Sequence, residues 1–230
     1  MRIGSPGTVN LLALDHGLSM GWTTTQDSPQ MIAFACSAAG INGVICHYGL
    51  VDKMPMSADF GVILQLHGNT SFDQSKSRVS SPLLASRLDC VGVAVEFQAS
   101  ASSRELAVTS ELVQEAHDLG LLVLIMANYR GEDFETAQKA IVGAIQLDAD
   151  LVKIRLPVND PVAEKRVRFS EVVADAPQVL VAGGEASTDL EDTLVRASRL
   201  GALGTCIGRH YFDGASRTET LRLVLNRTNK

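Results

Sequence analysis

Short apolar runs recur along the chain, and most are followed by a stretch whose apolar residues return every three or four positions. The first kind of segment reads as a strand buried on both faces, and the second as an amphipathic helix laid over it. Eight strands are predicted: Val9 to Leu14, Gly43 to His47, Val62 to Leu66, Val91 to Val95, Leu121 to Met126, Asp150 to Ile154, Gln178 to Ala182, and Gly204 to Ile207. Strand and helix alternate from end to end, the pattern of a parallel sheet covered by helices. Eight units in 230 residues give about 29 residues per unit, the repeat of a (β/α)8 barrel. The expected fold class is therefore α/β, a TIM barrel formed as a single domain over residues 1–230.

The helices carry their own start signals. Ser102-Ser103-Arg104-Glu105 and Thr188-Asp189-Leu190-Glu191 both fit the capping box. Behind the first, Leu106, Val113, Ala116 and Leu119 form an apolar stripe, and Gly120 ends it as a left-handed residue. Phe134, Ala137, Ile141, Ala144 and Ile145 form the stripe that follows the fifth strand. No linker or low-complexity run divides the chain, and Thr70 to Ser81 is polar enough to predict a mobile loop after the third strand.

Composition narrows the function classes. The net charge of −6 is spread over interspersed acidic and basic residues, so no basic stripe points to nucleic acid, and an anionic substrate has to be held by local groups. Cys36, Cys46, Cys90 and Cys206 lie in or beside apolar segments and form no C-x-x-C pair, which argues against a disulfide framework and a zinc knuckle. They read as core residues in a reducing compartment. The first residues lack an apolar core of signal-peptide length and no run reaches membrane-span length, so no membrane partner and a cytoplasmic location are expected.

The candidate chemistry starts at Asp150-Leu151-Val152-Lys153-Ile154-Arg155-Leu156-Pro157, where one lysine stands inside an apolar strand. A buried amine loses part of its preference for the protonated form, and a neutral amine attacks a carbonyl to form a Schiff base. The competing reading is a lysine that snorkels into water. In a barrel of this kind the active site lies at the C-terminal ends of the strands. Those ends carry Asp15 and His16, His47, Gln65 and His67, Glu96, Asn128 to Arg130, Lys153 and Arg155, Gly183 and Gly184, and Gly208 and Arg209. Asp15, placed near Lys153, would hold the amine and move protons during imine formation, unless it only caps the following turn. Gly183, Gly184, Gly208 and Arg209 occupy the loops after strands seven and eight, where phosphate sites are built in such barrels. His47, His67 and Arg155 complete the candidate substrate- and phosphate-binding set. His16, His47, His67 and Glu96 can also be read as metal ligands, but no H-x-H or H-x-x-x-H pair supports that reading, and no metal or organic cofactor is expected.

With these residues placed, the chain resembles the class I fructose-bisphosphate aldolases of the archaeal type and the DeoC/LacD aldolases. The likeness rests on Leu14-Asp15-His16-Gly17, His47-Tyr48-Gly49, Gln65-Leu66-His67-Gly68-Asn69-Thr70-Ser71, Ala149-Asp150-Leu151-Val152-Lys153, Val181-Ala182-Gly183-Gly184 and Ile207-Gly208-Arg209. It implies a Schiff-base aldolase, or a related carbon–carbon lyase or synthase, acting on a phosphorylated small molecule and assembled as a homo-oligomer. In that pattern Lys153 forms the imine, Asp15 assists proton transfer, and Gly183, Gly184, Gly208 and Arg209 bind phosphate. The alternatives are a ketose-fragment synthase of the same family and a sugar-phosphate-binding barrel without catalysis. One segment departs from the pattern: where the family has Tyr-Pro-Arg-Gly after the fifth strand, with the tyrosine moving the proton, this chain has Asn128-Tyr129-Arg130-Gly131. The open choices are Tyr129 through a local shift, Glu96, His47 or Asp15 in its place, or a reaction that differs from the family's usual cleavage. Period-two alternation predicts that Asn128 faces the barrel interior and Tyr129 turns away.

Overall fold

The structure is a computed structural model that describes residues 9–21, 28–38, 40–55, 57, 59–131, 133–157, 171–172, 179–183, 189–202 and 204–208. In chain order its strands are β1 (Val9–Ala13), β2 (Gly43–Cys46), β3 (Gly61–Gln65), β4 (His67–Thr70), β5 (Asp73–Arg78), β6 (Gly92–Gln98), β7 (Leu122–Asn128), β8 (Leu151–Arg155), β9 (Val179–Ala182) and β10 (Gly204–Ile207). The described helices are α1 (Gly17–Met20), α2 (Pro29–Ala38), α3 (Pro82–Arg87), α4 (Ser103–Asp118), α5 (Phe134–Gln146) and α6 (Leu190–Arg199). All strands but β4 and β5 close into a barrel in the order β1-β10-β9-β8-β7-β6-β3-β2. Every pairing in it is parallel, so the fold is the expected (β/α)8 TIM barrel.

Parallel register divides the apolar residues into two cores, because paired residues on neighbouring strands point to the same face. One set, including Leu11, Ile45, Ile63, Leu124, Leu151 and Leu180, fills the barrel interior. The alternating set, including Leu12, Val44, Val93, Ile125, Val152 and Val181, packs outward against helical residues such as Ile32, Leu112, Ile141 and Leu194. The interior of the barrel is thus a plug of side chains, and a pocket can open only above it, at one end.

Several sequence expectations shift in register or in kind. β6 and β7 run to Gln98 and Asn128, beyond the predicted ends, which carries Glu96 and Asn128 up on regular strand. On α4 the capping box forms between Ser102 and Glu105, and Gly120 adopts a left-handed φ of 70°. The buried stripe of α4 is Thr109, Leu112, Val113 and Ala116, however, while Leu106 and Leu119 are exposed, because the helix turns its 109–116 face toward β6 and β7. α6 is capped by Asp189, whose carboxylate accepts from Asp192 N, so its first turn begins one residue later than the Thr188 box predicted.

The segment from Thr70 to Ser81, predicted to be a mobile loop, instead completes an antiparallel hairpin of β4 and β5, pairing His67 with Arg78 and Gly68 with Ser77. Its polar composition hid it, since neither strand has an apolar face for alternation to reveal. The end of β5 is tied back to the barrel by Val79 N donating to Leu66 O at 2.8 Å.

Several strand starts at the lower rim admit only glycine, Gly204 and Gly43 most tightly. A Cβ on Gly204 would stand 1.8 Å from Val9 O, and one on Gly43 would stand 2.4 Å from Gly61 O. Both obstacles are backbone, which cannot swing away as a side chain can. We expect Gly204→Ala to lower unfolding free energy by about 1–3 kcal/mol, the range for forced overpacking. Urea unfolding would measure this, and an unchanged midpoint would mean the strands can part without cost.

Candidate active site

Every described strand end on the C-terminal side of the barrel contributes to one pocket of about 330 Å³. Asp15 enters just past β1, His47 just past β2, Gln65 at the end of β3, and Glu96 and Asn128 near the ends of β6 and β7. Lys153 and Arg155 come from β8, Gly183 follows β9, and Cys206 and Gly208 close the ring on β10. His67 and Lys76 arrive from the hairpin. Gly184 and Arg209, the other two candidate phosphate residues, lie outside the described residues.

The arrangement around Asp15 is a set of locks. Gln65 Nε2 donates to Asp15 Oδ2 at 3.0 Å, and Gln65 Oε1 in turn accepts from His67 N at 3.2 Å. His47 Nε2 stands 3.2 Å from the Asp15 carbonyl oxygen, and His16 Nδ1 stands 3.3 Å from Oδ1. Burial would raise the Asp15 carboxyl, but the Lys153 ammonium, His16, the Gln65 amide and Lys76 together hold it at about 2. Asp15 is thus a carboxylate at any ordinary pH.

Lys153 differs from the simplest expectation for a buried amine. Burial works against its ammonium, but the Cys206 sulfur and the carboxylates of Asp15 and Glu96 outweigh burial and hold the amine above its ordinary value. The lysine therefore rests as an ammonium matched to its carboxylates, and has to shed a proton before it can attack a carbonyl. Cys206, read from the sequence as a core cysteine, hydrogen-bonds with it. Burial pushes the Cys206 thiol up while Lys153 pulls it down, and the net direction is up. His47 and His67 are both pushed down, chiefly by burial, so both are neutral at neutral pH. Among the described residues no group of three His, Cys, Asp or Glu is placed to hold a metal ion.

At the end of β7 the two candidates separate. Asn128 lines the pocket, and its Nδ2 donates to Glu96 Oε2. Tyr129 is absent from the wall: its hydroxyl donates to Arg155 O at 2.8 Å, and its ring packs against the outer core. Arg155 spans both environments, with its guanidinium 5.2 Å from the Tyr129 ring centroid and Nη2 donating to Gly131 O at 3.1 Å.

A family model described as DeoC/LacD family aldolase matches residues 9–214. The chain belongs to the DeoC/LacD family of aldolases. A curated relative, the 2-amino-3,7-dideoxy-D-threo-hept-6-ulosonate synthase of Halobacterium salinarum, is 24% identical over 94% of this chain and 84% of its own length. A solved Schiff base-forming fructose-1,6-bisphosphate aldolase superposes with a TM-score of 0.84 at 22% identity, over 98% of this chain and 96% of that one. An archaeal fructose 1,6-bisphosphate aldolase gives 0.81 at 23% identity, over 96% and 94%.

In this DeoC/LacD aldolase, reasoning from sequence placed the strand-end residues and missed two partners. Lys76, which pairs with Glu96, sits in a polar stretch read as a loop, and only the β4–β5 hairpin brings it over the pocket. Cys206 was missed because a lone apolar-flanked cysteine looks the same in a core as beside a lysine. Its one available signal was parity, since Cys206 stands two residues before Gly208 and thus on the inward face of β10.

The depressed Asp15 carboxyl has a measurable consequence. Its contribution to stability is present above the unfolded value near 3.8 and is lost as pH falls through about 2. The difference is worth on the order of 2 kcal/mol. We expect wild-type unfolding free energy to drop by about that much more than that of Asp15→Asn between roughly pH 5 and pH 2. Parallel pH curves for the two proteins in urea titrations would show that the carboxylate is not held as described.

Proposed function

We propose that this DeoC/LacD aldolase works through an imine on Lys153 and makes or breaks a carbon–carbon bond in a phosphorylated ketose or keto substrate. The observation that carries the reading is the Lys153 amine set among Asp15, Glu96 and Cys206 in the pocket at the C-terminal end of the barrel. An enclosed, charge-matched lysine has no packing role that an apolar residue would not fill better. Substrate entry displaces water, and the amine, once it has shed its proton, attacks the carbonyl carbon. Asp15 stands ready as the fixed carboxylate that orients the amine and shuttles protons as carbinolamine loses water. The resulting iminium withdraws electrons from the adjacent carbon–carbon bond, which is the chemistry shared by Schiff-base aldolases.

The phosphate end of the substrate belongs, in this proposal, to Gly183, Gly208 and Arg155 on the pocket wall, with Gly184 and Arg209 next to them in sequence. Support comes from their shared place on the wall, with Arg155 at the end of β8, Gly183 just past β9 and Gly208 just past β10, three neighbouring strands. His47 and His67, both neutral, are suited to hydroxyl groups of the substrate. A condensing synthase of the same family is the second reading, favoured by Asn128 standing where a proton-moving tyrosine is the family pattern and by the synthase relative at 24% identity.

Borohydride reduction in the presence of a panel of ketose phosphates and their unphosphorylated forms tests both halves. Intact mass should rise by one reduced substrate, peptide mapping should place the adduct on Lys153, and activity should be lost. Unphosphorylated ketoses should trap more weakly by at least tenfold. Reaction at another lysine, such as Lys139 or Lys165, would overturn the assignment.

A further inference from the structure

Cleaving a ketose imine needs a group that takes the proton from the hydroxyl on the departing carbon and then delivers a proton to the enamine carbon left behind. In this chain no phenol is placed to do so from β7, because Asn128 holds the inward position and the Tyr129 hydroxyl is spent on Arg155 O at 2.8 Å. The geometry points to Glu96 as the proton carrier, held by Asn128 and Lys76 as positioning residues, a proposal that rests on the imine reading above.

Register fixes where Glu96 stands. Glu96 pairs with Met126 across β6 and β7, and Met126 pairs with Lys153 across β7 and β8. The glutamate is therefore level with the lysine, two strands away, and points to the same interior face. Both carboxylate oxygens are engaged on one side only: Oε2 accepts from Asn128 Nδ2 and Oε1 from Lys76 Nζ. Its side chain is 9% exposed, so the carboxylate is screened from bulk water yet lines the pocket. Asn128 thus keeps the place of the missing tyrosine by aiming a carboxylate.

The other titratable groups are worse placed. Asp15 is locked by Gln65 and by its attraction to Lys153, and with its carboxyl held at about 2 it is a weak base toward a substrate hydroxyl. His47 follows β2, on the far side of the barrel from β8, with its Nε2 turned to Asp15 O. His67 has its Nδ1 against Glu96 N at 3.4 Å, so it buttresses the β6 backbone.

With the substrate held as its Lys153 iminium, the Glu96 carboxylate removes the hydroxyl proton. The oxygen pair forms the aldehyde carbonyl, the carbon–carbon bond breaks, and its electrons flow through the adjacent carbon to neutralise the iminium nitrogen, leaving an enamine. Glu96, now a carboxylic acid, protonates the enamine carbon and returns to a carboxylate. Water then hydrolyses the regenerated iminium, releasing the ketone and the Lys153 amine. In the synthetic direction the same proton travels the other way.

The test uses the full chain with whichever of fructose 1,6-bisphosphate, fructose 1-phosphate or dihydroxyacetone phosphate traps best on wild type. Glu96→Gln should keep borohydride trapping at Lys153 within about threefold, while cleavage kcat and deuterium exchange into the ketone product both fall about 100-fold or more. Asn128→Ala should shift the pH dependence of that exchange, which loss of a merely structural contact would not do. Should Glu96→Gln fail to fold, Glu96→Asp draws the carboxylate back by one methylene and should slow exchange at least tenfold with trapping intact. Trapping and exchange that both stay near wild type in these Glu96 variants, or exchange lost instead in Tyr129→Phe, would overturn this proposal alone. Absence of any Lys153 adduct on wild type would overturn the imine reading as well.

Discussion

The attraction between the Lys153 ammonium and the Asp15 carboxylate is the constraint on which the site depends. Each ion is costly to enclose alone, and removing either leaves an uncompensated charge in a pocket walled by protein. The surrounding groups make sense as responses to that cost. Gln65 fixes one Asp15 oxygen, His16 stands by the other, and His47 holds the backbone beside it. The carboxylate is thereby kept ionised, and the ionised carboxylate in turn helps hold the lysine charged.

The barrel beneath that pair is filled with apolar side chains. Leu11, Ile45, Ile63, Leu124, Leu151 and Leu180 fill the interior immediately below, so Lys153 and Asp15 sit at the boundary between a packed plug and an open mouth. Field lines between the two charges run through low-dielectric protein on one side, which strengthens their interaction. Parallel register then sets the chemistry out by height: Glu96, Met126 and Lys153 share one level, and Asn128 and Arg155 stand one pleat higher.

The β4–β5 hairpin adds the layer above. It brings Lys76 down onto Glu96 and His67 onto the β6 backbone, so the fourth barrel strand meets the mouth through contacts made from a segment with no apolar face. Its strands are held by backbone pairing and by Val79 N on Leu66 O.

How much of this was legible beforehand follows from what a linear pattern can carry. Apolar runs of four to seven residues with helical stripes between them pointed to the barrel, because they call for a helix-covered parallel sheet and eight units of about 29 residues match the barrel's repeat. Strand ends located Lys153 and Asp15, and parity put Asn128 on the inward face, since the side-chain direction of a regular strand follows from counting. Tertiary structure alone decided the rest. Whether Lys153 is neutral or charged depended on which carboxylates stood around it, and Asp15 is distant from it by 138 positions in the chain (153 minus 15). The hairpin was invisible because polar strands show no hydrophobic period, and with it the Lys76–Glu96 pair. The sulfur of Cys206 stands beside Lys153 because β8, β9 and β10 pair in sequence and both side chains point inward, and only the folded barrel shows that the interior brings them together across β9.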